Sequence, residues 1–71
     1  MQVTKGRYRI ESDSYCVEGG WCVRCRITNT RTFQSSPIEP QEARTYRTQA
    51  EADAESLRFG SHLAASRLIG F

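Results

Sequence analysis

The run Gly19-Gly20-Trp21-Cys22-Val23-Arg24-Cys25 carries the Cys-x-x-Cys spacing that thiolate metal knuckles and dithiol redox motifs use. A zinc knuckle needs that pair in a turn and wants four ligands, and the only histidine, His62, stands far along the chain. In an extended strand, residues three apart point to opposite faces, so Cys22 and Cys25 would hold one ion only where the strand breaks. A redox pair opens a helix, whereas this one sits in an alternating run. The expectation is therefore no metal and no cofactor, with Cys25 a small core residue and Cys22 an outward thiol. Cys16 makes the cysteine count odd, at three, and the opening MQVTKGRYRI has no apolar run suited to a signal peptide or membrane span. Free thiols in a reducing cytoplasm, away from membranes, are the expected state.

A second set of residues is basic. Arg7, Arg9, Arg24 and Arg26 recur at alternate positions of two strand-like runs and are expected on one sheet face, with Lys5 and Arg31 extending the patch. Such a face would lie in a DNA groove or along an RNA backbone. The net charge is only +2, ten Lys and Arg against eight Asp and Glu, so any such argument is local. No catalytic residue is expected: there is one histidine, no Gly-rich phosphate loop after a strand, and the carboxylates fall at a helix start or opposite arginines.

The elements that must position these residues follow from periodicity. Tyr8 and Ile10, then Trp21, Val23, Cys25 and Ile27, alternate with polar neighbours, as strands with one buried face do. Gly19 and Gly20 supply a hairpin turn between the two runs, which sets Cys16 across from Trp21 and Ile10 across from Ile27. The same register sets Glu11 opposite Arg26 and Asp13 opposite Arg24, favourable cross-strand pairs that leave Lys5, Arg7 and Arg9 as the unpaired cations. Thr28-Asn29-Thr30 reads as a turn and Arg31 to Gln34 as a third strand, which Pro37 and Pro40 stop.

Thr48-Gln49-Ala50-Glu51 fits a capping box, and Glu51, Asp53 and Glu55 suit the positive end of a helix. Ala50, Ala54, Leu57, Ser61, Ala64 and Leu68 recur at helical spacing and are expected to pack on the sheet around Trp21, the expected centre of a small core. Gly60 is expected to loosen the helix and Gly70 to end it. The fold class is thus α+β, a three-stranded antiparallel β-β-β meander against one C-terminal helix, in one domain over residues 1–71. Phe59 and Leu63 fall nearly opposite the stripe. Either they form an interface, extended by Ile69 and Phe71, or the helix breaks at Gly60 and Phe59 turns inward, or one exposed phenylalanine is simply tolerated on the surface.

The order Tyr8-x-Ile10, Gly19-Gly20-Trp21 and Tyr46-x-Thr48-x-x-Glu51-Ala52 resembles small proteobacterial proteins of β-β-β-α plan, and that resemblance implies a fold without an activity. Double-stranded-RNA-binding domains share the sheet-then-helix ending, but their helix opens on cations where this chain reads Thr48 to Asp53. The arm-binding domains of tyrosine recombinases share the sheet, at the head of longer enzymes. Two functions are expected. The first is a non-enzymatic interaction or regulatory module that binds a protein partner or itself, as a homodimer, through Phe59, Leu63 and Phe71. The alternative is nucleic-acid binding through Lys5, Arg7, Arg9, Arg24 and Arg26.

Overall fold

Glycines flanking short alternating runs give this chain one long ribbon, and the rest of the molecule is arranged around it. The computed structural model describes residues 1–42 and 44–71. Strands β1 (Gln2–Lys5), β2 (Tyr8–Ser12), β3 (Tyr15–Val17), β4 (Gly20–Cys22), β5 (Cys25–Asn29), β6 (Ser35–Ile38) and β7 (Thr45–Tyr46) precede helix α1 (Gln49–Ala65). They form two antiparallel sheets rather than one: a four-stranded sheet in the order β1-β2-β5-β6 and a three-stranded sheet in the order β3-β4-β7. The α+β class with a C-terminal helix holds. The single three-stranded meander does not.

The hairpin register is as the sequence requires, with Ile10 opposite Ile27, Glu11 opposite Arg26 and Cys16 opposite Trp21. Ser12 faces Cys25, and the next ladder pair beyond the bend is Tyr15 with Cys22. Each arm therefore contributes the same number of residues to the bend, Asp13 and Ser14 on one side, Val23 and Arg24 on the other. One continuous ribbon supplies both sheets. Asp13 N–H donates to the Arg24 carbonyl at 2.8 Å across the bend. Gly20, at φ +148°, lets β7 come close, since a Cβ there would lie 2.5 Å from the Tyr46 carbonyl oxygen.

The third strand of the large sheet's core side lies later than Arg31–Gln34. Asn29 accepts from the Arg31 and Thr32 amides through its side chain, and its carbonyl accepts from Phe33 N–H, so those residues form a turn and the strand begins at Ser35. Pro37 does not stop it. Asn29 N–H donates to the Gln34 carbonyl, so hydrogen-bonded positions fall at Gln34, Ser36 and Ile38, and Pro37, opposite Arg26, turns its nitrogen to the open edge.

Helix α1 starts where expected, with the Thr48 hydroxyl accepting from Glu51 N–H at 3.2 Å. Its buried face is different. Ala52, Ser56 and Gly60 are buried, while Ala50 and Ala54 are exposed. At about 100° per residue, Ala52, Ser56, Phe59, Gly60 and Leu63 lie within roughly a quarter of the helix circumference. Gly60 does not break the helix. It lets the helix meet the sheet, because a Cβ there would lie 2.5 Å from Ile10 Cγ2 and 3.2 Å from Cys25 Sγ. The core beneath is Ile10, Cys25 and Ile27, all fully buried, with Val3, Tyr8, Leu63 and Phe71 packed around it. Trp21 is only half-buried, in the small sheet between Cys16 and Tyr46. The helix ends at Ala65, before Gly70. Arg67 adopts φ +56°, its N–H donates to the Ala64 carbonyl, and Leu68 N–H donates to the Leu63 carbonyl, closing a Schellman turn.

Candidate nucleic-acid interface

The five candidate cations do not share one face. Because Ile10 and Ile27 point to the helix, their neighbours Arg9 and Arg26 stand on the outer sheet face, which α1 leaves uncovered. Arg9 Nε lies 3.1 Å from Glu11 Oε1 on the same strand, so Glu11 neutralises Arg9 rather than Arg26. Arg26 instead donates to Ser35 Oγ at 3.2 Å. Arg24 lies in the ribbon's bend. Its guanidinium is 3.0 Å from Asp13 Oδ2, 3.9 Å from Glu39 Oε1 and 4.5 Å from the centroid of the Tyr15 ring. That is a structural cation, tied by charge and by the ring face. The expected Asp13 pair forms, and it removes Arg24 from the candidate interface.

Lys5 and Arg7 stand at the other end of the large sheet, in and beside the turn that joins β1 to β2. The β5–β6 turn is hooked onto this one, since the Arg7 carbonyl accepts from Thr30 N–H at 2.7 Å and from the Thr30 hydroxyl at 2.9 Å. The hook brings Arg31 and Phe33 alongside. The C-terminal end of α1 reaches the same place, and a groove of about 560 Å³ lies between Lys5, Arg7 and Tyr8 on one side and Ala64, Arg67 and Ile69 on the other. Lys5, Arg7, Arg31 and Arg67 are exposed, and none of them makes an ion pair among the described residues. Four uncompensated cations thus converge from three separate segments. Sequence alternation could not assemble them, because two come from turns and one from beyond the helix. The readable signal was Asn29, whose side chain shapes the turn that carries Arg31 and Phe33.

The candidate protein interface is placed differently from the expectation. Phe59, Leu63 and Phe71 are half-buried and pack against Ile10, Cys25 and Ile27, with Phe71 also edge-on to the Tyr8 ring at 6.4 Å between centroids. Phe59 turns inward on an unbroken helix, so the far face carries Ala50, Ala54 and Arg58 instead.

Cys25 is fully buried and Cys16 exposed, while Cys22 is half-buried rather than outward. The strand does break between Cys22 and Cys25, yet no group of three His, Cys, Asp or Glu side chains among the described residues is placed to hold a metal. Burial, with Asp13 nearby, pushes the Cys25 thiol up to about 11. A cleft of about 410 Å³ opens beside Tyr15, Cys22, Tyr46 and Phe59. Of its lining carboxylates, Glu39 is engaged with Arg24 and Glu55 with Arg58 at 3.5 Å. Desolvation raises the Tyr15 pKa, and the charge of Glu39 adds to it. No helix among the described residues is long and apolar enough to cross a membrane.

Comparison with family models, curated proteins and solved structures finds no match to this chain.

Proposed function

We propose that this chain is a small, non-enzymatic cytoplasmic nucleic-acid-binding domain that grips the phosphate backbone with the basic end of its large sheet. The observation that carries this reading is the gathering of Lys5, Arg7 and Arg67 around one groove, with Arg31 on the turn hooked to the Arg7 carbonyl and no carboxylate paired to any of the four among the described residues. Cations gathered without compensation repel one another and lower stability, so their convergence is accounted for by an anionic partner. Arg26 on the uncovered outer face would extend the track along the backbone, whereas Arg9 is neutralised by Glu11. The protein-interaction reading keeps less support, because the apolar side chains that favoured it pack on their own core.

Binding of this kind releases counterions. With four contacts to a single strand, log K should fall against log salt with a slope of about −3. Fluorescence anisotropy with a labelled oligonucleotide across a salt series reads that slope directly. The Arg7→Glu/Arg31→Glu double variant should bind far more weakly and flatten the slope. A flat salt response in the parent protein, or parent-like binding by the double variant, would remove the assignment.

A further inference from the structure

Phe33 is a large apolar side chain left 80% exposed, and it sits in the left-handed region at φ +63°. Both features are unfavourable. An exposed ring gains nothing from burial, and a Cβ-bearing residue in that region is strained unless its surroundings hold it. Here they do: Phe33 N–H donates to the Asn29 carbonyl at 2.7 Å, and the Asn29 side chain holds the amides of Arg31 and Thr32 at 2.9 and 3.3 Å. The turn is therefore built to present the ring, not to hide it. The second non-glycine residue in the left-handed region, Arg67, lines the groove at the same end of the molecule.

An exposed aromatic ring on the turn that carries the unpaired Arg31 and is hooked to the backbone of Arg7 has the composition of a single-strand site, in which a base stacks on the ring while the cations track the backbone. In a duplex both faces of each base are already stacked, so the ring would find no partner there. Resting on the nucleic-acid reading above, we infer that Phe33 is a base-stacking residue and that the ligand is single-stranded nucleic acid, with Arg7 and Arg31 holding the phosphates on either side of the stacked nucleotide.

The test compares the parent and Phe33→Ala on labelled oligothymidylate, oligouridylate and a mixed-sequence duplex, each of about 12 nucleotides per strand, matched to the footprint of small single-strand sites. Phe33→Ala should lose about tenfold in affinity for the single strands and leave duplex affinity and the salt slope unchanged. Phe33→Trp should restore single-strand binding. Its turn can be checked by the Asn29 and Thr30 amide resonances, so a misfolded variant is recognised as such and Phe33→Trp then decides. A preference for oligouridylate over oligothymidylate would assign the strand to RNA, and the reverse to DNA. Salt-dependent binding that Phe33→Ala leaves intact overturns the stacking role while keeping the proposed function. Absence of binding to every probe overturns both.

Discussion

Ser56 is fully buried in the middle of α1, and its hydroxyl does two things: it donates to the Ala52 carbonyl at 2.8 Å and accepts from the Arg24 backbone N–H at 3.3 Å. The second bond ties the helix to the ribbon's bend, where Arg24 has left the ladder. Ser56→Ala would leave that amide unsatisfied in a partly buried place, so it should cost about 1–3 kcal/mol in chemical denaturation. A change of a few tenths would mean that water replaces the hydroxyl. Cys25 makes a second prediction at this scale. Its folded pKa is about 11 against 9.0 for a free thiol, so below pH 9 both states carry the neutral thiol and its burial contributes fully. Between those values the unfolded chain ionises and the folded one does not, so stability falls by up to ~1.4 kcal/mol per pH unit. Parent and Cys25→Ala should diverge in slope over that window. Parallel slopes would show that the thiol titrates normally. With the parent at neutral pH, a thiol reagent should label Cys16 first and Cys25 only on unfolding, as read by mass spectrometry.

At the scale of elements, Gly60 decides how the helix lies. Helix propensity alone makes Gly60→Ala stabilising by about 1 kcal/mol, whereas the close approach to Ile10 and Cys25 makes it destabilising by roughly 1–3 kcal/mol. The sign of the change in a thermal melt therefore separates a loosened helix from a docked one. Ile10→Ala should cost about 2–5 kcal/mol, and Trp21→Ala, which removes a half-exposed ring from the small sheet, clearly less. The Gly60 contact also explains what was legible. The hairpin register followed from alternation, and the helix start from Thr48, because each signal is local and chemically specific. The helix's buried face was not legible, since Ala52, Ser56 and Gly60 are small residues that hydrophobic periodicity hardly weighs, and the larger Ala50-Leu57-Leu68 stripe took their place. Pro37 misled for a related reason. A proline stops a central strand, but whether β6 is an edge strand is a property of the sheet and not of the run around it. The basic end was half legible: Lys5, Arg7 and Arg31 stand out as cations, but Arg67 joins them only through the Schellman turn, and Phe33 looks like a strand residue until Asn29 is seen to hold the turn.

Across the whole molecule, a net charge of +2 conceals a separation. Lys5, Arg7, Arg31 and Arg67 stand without ion pairs at one end of the large sheet, while at the bend and the helix start the charges are mixed, Asp13 and Glu39 with Arg24 and Glu55 with Arg58. Such a charge layout orients the molecule as it approaches a polyanion, so rising salt should slow association with an oligonucleotide more than it speeds release. Stopped-flow traces in which salt acts mainly on the dissociation phase would argue against steering. The ribbon that joins the two ends runs from Tyr8 to Val17 in one arm, about 33 Å at strand spacing, against a longest dimension of 37 Å. Its bend carries a consequence for hydrogen exchange. Because the register is unbroken through Asp13 and Arg24, the β3–β4 half can open and reclose without any slip in the β2–β5 half, which α1 covers. Amides paired in β3 and β4 should then exchange through a sub-global opening, while those of Ile10 and Ile27 wait for global unfolding. The molecule would have two levels of protection along a single hairpin, with the boundary between them at the Arg24 guanidinium.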